Sequence, residues 1–332
     1  MKKNLFIVLL GCLLFILTAA GCEDVDSGEN DDDGNGTSDS DTDTDTDTDT
    51  DTDNDMDPQG TQKNGDFCWR NQNCESGYCE TSRTSPIDED GECMDPLPDN
   101  RIRGIANVRN FETNKFLGNI DVDIVGAMDA ILSPDGAVAV ESLKTDSDGY
   151  FEVDFEKSAN EKQVGLISRI ILDSYYLSFT GLVEPDKETG IYEPGFINHD
   201  IWAVPQKLMD DWSALLAADD VLSAFSPLGE KGGVIGKARD ADTGEGVSGI
   251  VLKTRLSASE SSAVVVYISE DGKSLKRDGT SSNGFYIILD PQVAEKFDAY
   301  RGDKKVNIVE ATAGQAFGAI MTTAIQVDMD GE

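Results

Sequence analysis

Residues 234–254 read VIGKARDADTGEGVSGIVLKT, and residues 104–124 read GIANVRNFETNKFLGNIDVDI. At an offset of 130, Arg239 falls on Arg109, Thr243 on Thr113 and Ile250 on Ile120. Further on, RDGTSSNGFYIIL (277–289) matches LKTDSDGYFEV (143–153) at an offset of 135. The chain therefore holds an internal repeat of about 100 residues. Each copy runs strand, polar turn, strand, variable insert, then a hairpin at T-x-S-x-G followed by an aromatic. The apolar runs are short and β-branched, as in AVVVYI (263–268), with Asp-Gly turns between them. This predicts a mostly β chain of two tandem antiparallel β-sandwiches, over 100–204 and 231–330.

The sandwiches are separated by PQKLMDDWSALLAADDVLSAF (205–225), where Leu208, Trp212, Leu215, Leu216 and Leu222 share one helical face. Pro205 suits a helix start, so 205–230 is expected to be a helical linker packed at the interdomain junction. A second helix is expected from Pro291 to Tyr300, with Asp290 as N-cap and Val293 and Phe297 inward.

The repeated pattern, IxGxVxDxxTGxxxxGxxV and then TxxxGxFxI, resembles the carboxypeptidase regulatory-like family. That resemblance implies Ig-like, prealbumin-like sandwiches close to starch-binding-like and Cna-B-type domains, which are mostly accessory modules without catalysis. The second copy fits better; the first is expected to carry a longer loop at Thr113 and Asn114, where the Thr-Gly turn should be.

The N-terminus, MKKNLFIVLLGCLLFILTAAGCEDVDSG, is a signal peptide over 1–21: Lys2 and Lys3, an apolar run of 16 residues from Leu5 to Ala20, then small residues up to Cys22. It resembles the bacterial lipoprotein signal, although the position three before the Cys is Ala19 where that family usually has Leu. The resemblance implies acylation at Cys22, hence a palmitate-type anchor in the membrane. Glu23 follows in place of the Asp that favours inner-membrane retention, which points to the outer membrane, at the cell surface or its periplasmic face. A rival site at Cys12 would leave too short an apolar core.

Residues 22–63 form an Asp/Thr-rich stalk expected to be disordered, since it has almost nothing apolar to bury. It includes DTDTDTDTDTDTDND (41–55) and the sequon Asn35-Gly36-Thr37. Fully extended it reaches about 140 Å at ~3.3 Å per residue; as a coil, about 35 Å. No turn-forming Gly interrupts the Asp-Thr run, so no defined calcium loop is expected, only weak diffuse Ca²⁺ association.

From Glu23 to Asp57 there are 17 acids and no Lys or Arg. Removing them from the net −37 leaves −20 for the rest. Such a surface repels nucleic acid and anionic lipid, so membrane contact is expected through the covalent anchor alone.

Residues 64–95 carry Cys68, Cys74, Cys79 and Cys93. Export to an oxidising compartment makes these two disulfides, with three pairings open. The spacing suits zinc less well. The module resembles the Cys-rich modules of delta-proteobacterial surface lipoproteins related to the Dickkopf N-terminal family.

For chemistry the sequence offers little. His199, the only histidine, is expected in the last strand of the first sandwich. No nucleophile elbow, phosphate loop or zinc-protease helix is present, and no catalytic residue, metal site or cofactor is expected. Asp146, Asp148 and Gly149 mimic part of a calcium loop, but the second copy has no acids there, so the segment is expected to be a turn. Arg301-Gly302-Asp303 is expected to be a turn. Lys237 could form an isopeptide bond with Asn307 or Asp328 beside Glu310, as in Cna-B domains.

The leading expectation is a non-catalytic, surface-displayed lipoprotein that presents its sandwiches for structural or binding roles in the cell envelope, with a glycan or an envelope protein as the candidate partner. The alternatives are carbohydrate binding through Tyr175, Tyr176 and Tyr192, and a carboxylate-dependent hydrolase.

Overall fold

The computed structural model describes residues 62–68, 73–81, 91–98, 101–156, 165–183, 195–241, 243–308 and 311–329. The signal peptide, Cys22 and the stalk up to residue 61 lie outside them, as do Tyr192 and Glu310.

Strands β1 (Phe67–Cys68), β2 (Cys79–Thr81) and β3 (Gly91–Cys93) make a small sheet in the order β1-β3-β2. Disulfides join Cys68 to Cys79 and Cys74 to Cys93, with Cα–Cα distances of 5.9 and 5.4 Å. All four cysteines are buried. Each bridge stabilises a module this small by roughly 3 kcal/mol, chiefly by restricting the unfolded chain. Gly91 admits this packing because a Cβ there would collide with Cys68 Sγ and Cys79 Sγ. Glu80 ties the module to the next strand through Arg103, at 3.0 Å.

The first repeat supplies β4 (Arg101–Asn110), β5 (Asp121–Gly126), α1 (Ala127–Leu132), β6 (Ala139–Lys144), β7 (Tyr150–Glu156), β8 (Leu166–Ile170), β9 (Tyr175–Tyr176), β10 (Ser178–Val183) and β11 (Gly195–Pro205). Helix α2 (Gln206–Ala217) follows. The second repeat supplies β12 (Val234–Asp240), β13 (Val251–Thr254), β14 (Val264–Ile268), β15 (Leu275–Lys276), β16 (Phe285–Leu289), β17 (Glu295–Arg301), β18 (Lys304–Lys305), β19 (Ala311–Ala313) and β20 (Ile320–Val327).

The expected mostly β, two-sandwich architecture is present, with one addition. A single sheet of nine strands, β15-β14-β16-β12-β20-β10-β8-β5-β6, runs through both sandwiches. Its seam is the parallel pair β10/β20, with Ser178, Phe179 and Thr180 opposite Ile320, Met321 and Thr322. The pairs β4/β11 and β12/β20 are also parallel, whereas most others are antiparallel.

In-register neighbours share a face. Phe179, Met321 and Val234 therefore lie on one face, and Thr180, Thr322 and Ile235 on the other. The two sandwiches close on opposite faces of this sheet. The sheet β7-β4-β11-β9 covers the first half, enclosing Ile102, Val108, Val122, Ile124, Phe151, Leu166 and Ile201. Strands β13, β17 and β19 cover the opposite face of the second half, enclosing Val234, Tyr286, Ile288, Phe297 and Val327.

Each face left over is also covered. Helix α2 lays Leu208, Met209, Trp212 and Leu216 on Ile235, Val266, Phe285 and Ile287, together with Phe111 and Trp202. Full burial of such side chains is worth about 1.5–3 kcal/mol each. On the other side, α1 and residues 316–319 cover Val125, Ile167 and Phe179. Arg169 fixes that cover by donating to the Ala137 carbonyl and pairing with Asp123 at 2.7 Å. Two-sided burial explains why FYIIL and LISRI are buried at every position. The expected linker is helical only over Gln206–Ala217, with a short 3-10 turn at Ser223–Phe225, and it covers a sheet face while the shared sheet joins the sandwiches.

The helix expected at 291–300 is instead strand β17. Asp290 (φ 52°) and Ala294 (φ 57°) take left-handed conformations that break a right-handed helix. Glu295, Phe297 and Ala299 are buried at a period of two, and Val293 is exposed.

The repeat holds at the level of single hydrogen bonds. Thr145 Oγ1 accepts the Ile120 N–H (2.8 Å) and donates to the Leu117 carbonyl (3.1 Å). Thr280 Oγ1 does the same for Ile250 and Val247. The turn after the first strand is equal in length in both copies: Asn110 N–H to Lys115 O and Asp240 N–H to Glu245 O. No longer loop exists in the first copy. Asn114 (φ 60°) takes the left-handed place held by Gly244 (φ 68°), as Asn tolerates that region better than most residues.

Candidate functional site: a cleft between the sandwiches

Past Thr180 and Thr322, β10 and β20 part, β10 staying with β8 and β20 with β12. The wedge between them is a cleft of about 520 Å³. Its floor is a proton-ordered hydroxyl pair. Thr322 Oγ1 donates to Phe179 O (2.9 Å), so the 2.6 Å contact leaves Thr180 Oγ1 as donor to Thr322. Thr180 Oγ1 in turn accepts the Trp202 N–H at 3.1 Å.

One wall comes from β11. Asp200 Oδ1 accepts from Arg109 Nε at 2.7 Å, and Oδ2 accepts from Arg239 Nη1. These arginines occupy matched positions of the two repeats. The Asp200 side chain is 7% exposed, that of Arg109 18% and that of Arg239 13%. Burial alone would raise the Asp200 pKa, but the charges of Arg239 and Arg109 and the bonds from both hold it below the usual carboxylate range. The guanidiniums are braced by aromatic faces, Arg109 at 3.9 Å from the Phe116 ring centre and Arg239 at 5.6 Å from that of Trp202.

His199 stands in β11, as expected, and its Nε2–H donates to the Gly181 carbonyl, linking β11 to β10. Burial lowers its pKa, opposed by that hydrogen bond and by Asp200. With Nε2 carrying the proton, that nitrogen has no lone pair to act as a base.

Among the described residues lining the cleft, Asp200 is the one carboxylate. A glycosidase-type mechanism needs two, one of them able to hold a proton near neutral pH. Asp200 is pinned as a carboxylate.

The remaining candidates fall elsewhere. Tyr175 accepts from Asn110 Nδ2 at 3.1 Å and packs on the first core. Tyr176 packs on the α2 cluster and lies so close to Gly229 that a Cβ there would meet its ring. Both are half-buried on β9, the edge strand of the covering sheet.

Lys237 sits over Phe285 (5.8 Å), on the α2 side of β12. Asn307, on the opposite side of that sheet, binds the Ala299 N–H and Asp298 Oδ1. Lys237 and Asn307 are therefore not brought together. Asp298 is itself held far below the ordinary range, first by Arg255, then by Lys305 and Asn307 against the effect of burial.

Asp146 Oδ1 accepts the N–H groups of Asp148 and Tyr150, making a turn closed by Gly149 (φ 91°). Asn283 Oδ1 likewise accepts from the Phe285 N–H, ahead of Gly284 (φ 72°). The aromatic that enters the sandwich core is the second after the glycine, Phe151 or Tyr286. Arg301-Gly302-Asp303 spans the turn between β17 and β18, with Gly302 at φ 62°. The Sγ atoms of Cys68, Cys74 and Cys93 lie within 4.8 Å of one another. All three are oxidised in disulfides, which leaves zinc no thiolate.

Sequence reasoning noticed the Arg109/Arg239 match but missed the clamp. The available signal was an arginine repeated in both copies, together with an aspartate next to the only histidine.

No protein-family model matches the chain, and no curated protein matches it in sequence. Solved structures resemble it at low identity. The shaft pilin SpaA of Lactobacillus rhamnosus GG is 11% identical, with a TM-score of 0.20 over 69% of this chain and 98% of that one. A streptococcal ancillary pilin is 10% identical, with a TM-score of 0.20 over 73% and 70%. The major plantain pollen allergen Pla l 1 is 9% identical, with a TM-score of 0.22 over 32% and 94%.

Proposed function

We propose that the chain is a non-catalytic lipoprotein of the cell envelope, anchored in the outer membrane through acyl chains on Cys22, whose two sandwiches act as one stiff presenting unit. The observation that carries this reading is the Arg109–Asp200–Arg239 clamp beside the shared seam. The groups with most chemical capacity at the junction are engaged in holding the sandwiches together. Lys2, Lys3 and the apolar run before Cys22 support export and anchoring. The two disulfides suit an oxidising compartment. The acidic stalk then keeps the unit off an anionic surface by self-repulsion, and the partner in this reading is another envelope component.

Two measurements test it. Cells fed an alkyne fatty acid should label the wild-type chain and leave Cys22→Ser unlabelled; an unlabelled wild type overturns the anchor. In urea, tryptophan fluorescence and far-UV dichroism should report one coincident transition for both sandwiches. Two well-separated transitions would overturn the stiff unit.

A further inference from the structure

We propose that the cleft between the sandwiches binds a small organic anion, a carboxylate carried on an apolar body. Such binding goes beyond the presenting role and depends on the cleft alone. A volume of about 520 Å³ at the junction of two folded units is of the size and placement that small ligands use.

Its charge runs against that of the chain. The protein is −37 overall, yet among the described residues the cleft's one carboxylate, Asp200, is shared by two arginines, Arg239 and Arg109. Among the described residues, this cluster carries one positive charge in excess. Arg239 lines the cleft, gives Nη1 to Asp200 and leaves Nε without a hydrogen-bond partner. A carboxylate in the cleft would bond to this guanidinium with charge assistance.

The rest of the lining is largely apolar, with Leu182, Val183, Val293 and Met321. That suits a hydrocarbon body and disfavours a hydroxyl-rich sugar. Among the described lining residues Trp202 is the one Phe, Tyr or Trp, and it is 1% exposed, so it gives a sugar ring no stacking face.

The probe is 3-phenylpropanoate, with its neutral counterpart 3-phenylpropanamide as control. Both are titrated by calorimetry into the otherwise intact chain carrying Cys22→Ser. The acid should bind saturably at one site, and the amide at least tenfold more weakly.

Two variants locate the site. Gly181 lines the cleft, a Cβ built there meets nothing within 4 Å, and its φ is not left-handed, so Gly181→Leu fills the space without backbone strain. It should abolish binding while leaving the melting temperature within a few degrees of the parent. Val293→Glu, at a half-exposed lining position, should weaken the acid severalfold and leave the amide unchanged. Absence of acid binding to the parent overturns the proposal. So does equal affinity for acid and amide, or undiminished binding to a folded Gly181→Leu chain.

Discussion

The two repeats share their hairpins and differ in how their edges are closed. In the first copy β11 lies parallel to β4, and its outer edge takes only the two-residue β9. In the second copy the matching strand is β20, parallel to β12, and its outer edge takes β10 of the first copy. The seam thus joins the second sheet of one sandwich to the first sheet of the next, a head-to-tail union rather than a symmetric one. The local pattern was duplicated, and the assembly was not. An unpaired edge is a liability in either copy, and each solves it with whatever lies beside it. The arginine pair shows the same asymmetry. Arg109 and Arg239 are equivalent by repeat, but one aspartate serves both, and it comes from the first copy alone.

The sharpest way to break the comparison is Asp200→Ala. It leaves two partly buried guanidiniums facing each other and should cost about 3–5 kcal/mol. Urea denaturation would measure it, and a loss below about 1 kcal/mol would show that the clamp is dispensable. Next, Thr145→Val and Thr280→Val remove equivalent latches. Each strands a backbone N–H and a carbonyl, for roughly 1–3 kcal/mol. Equal losses would confirm that the latch is a property of the repeat, whereas a twofold difference would mean that its surroundings dominate.

A smaller effect concerns acid. The folded pKa of His199 lies below its unfolded value near 6.5, so the unfolded chain binds the proton first. This contribution is fully present above pH 6.5 and is lost as pH falls from there through the folded value. Asp200 and Asp298, also depressed, add losses that begin only below about pH 4. His199→Gln should flatten the upper part of the stability-against-pH curve and leave the lower part unchanged. Smallest of all are the turns. Gly244→Asn should cost less than about 1 kcal/mol, and Asn114→Gly should change stability by a few tenths, since each position already holds a left-handed residue. A loss above 2 kcal/mol in thermal melts for either would contradict the equivalence of the turns.

Much of this was legible because it is local. The Asp240-to-Thr243 turn, the Thr latches and the stripe Leu208, Trp212, Leu216 are written within a few residues of one another or repeated at fixed offsets. What was not legible is long-range. The Thr180–Thr322 contact links residues 142 apart, and no nearby pattern announces it. The cleft follows from that seam, so it was hidden with it. The misread of 291–300 has a different origin. Val293 and Phe297 are four apart and suggested a helix, while Glu295, a buried acid met by the hydroxyls of Thr254 and Ser261, did not look like a core residue. Tyr175 and Tyr176 pose a similar ambiguity: an aromatic beside a turn reads alike whether it faces solvent or a core.

The seam also sets an order of events in time. β20 is the last described strand, and it is the only strand bonded to both β12 and β10. As a chain emerges from synthesis or export, the first sandwich can collapse early, but the edge of β10 has no partner until nearly everything else has formed. During that interval Phe179 and Thr180 present a free strand edge to any neighbour. Contacts that close so late across so many residues form slowly, and exposed edges in such intermediates invite aggregation. A chain ending before Ile320 should therefore aggregate far faster than the whole protein in light-scattering refolding assays. Equal rates would mean that another element shields β10 first.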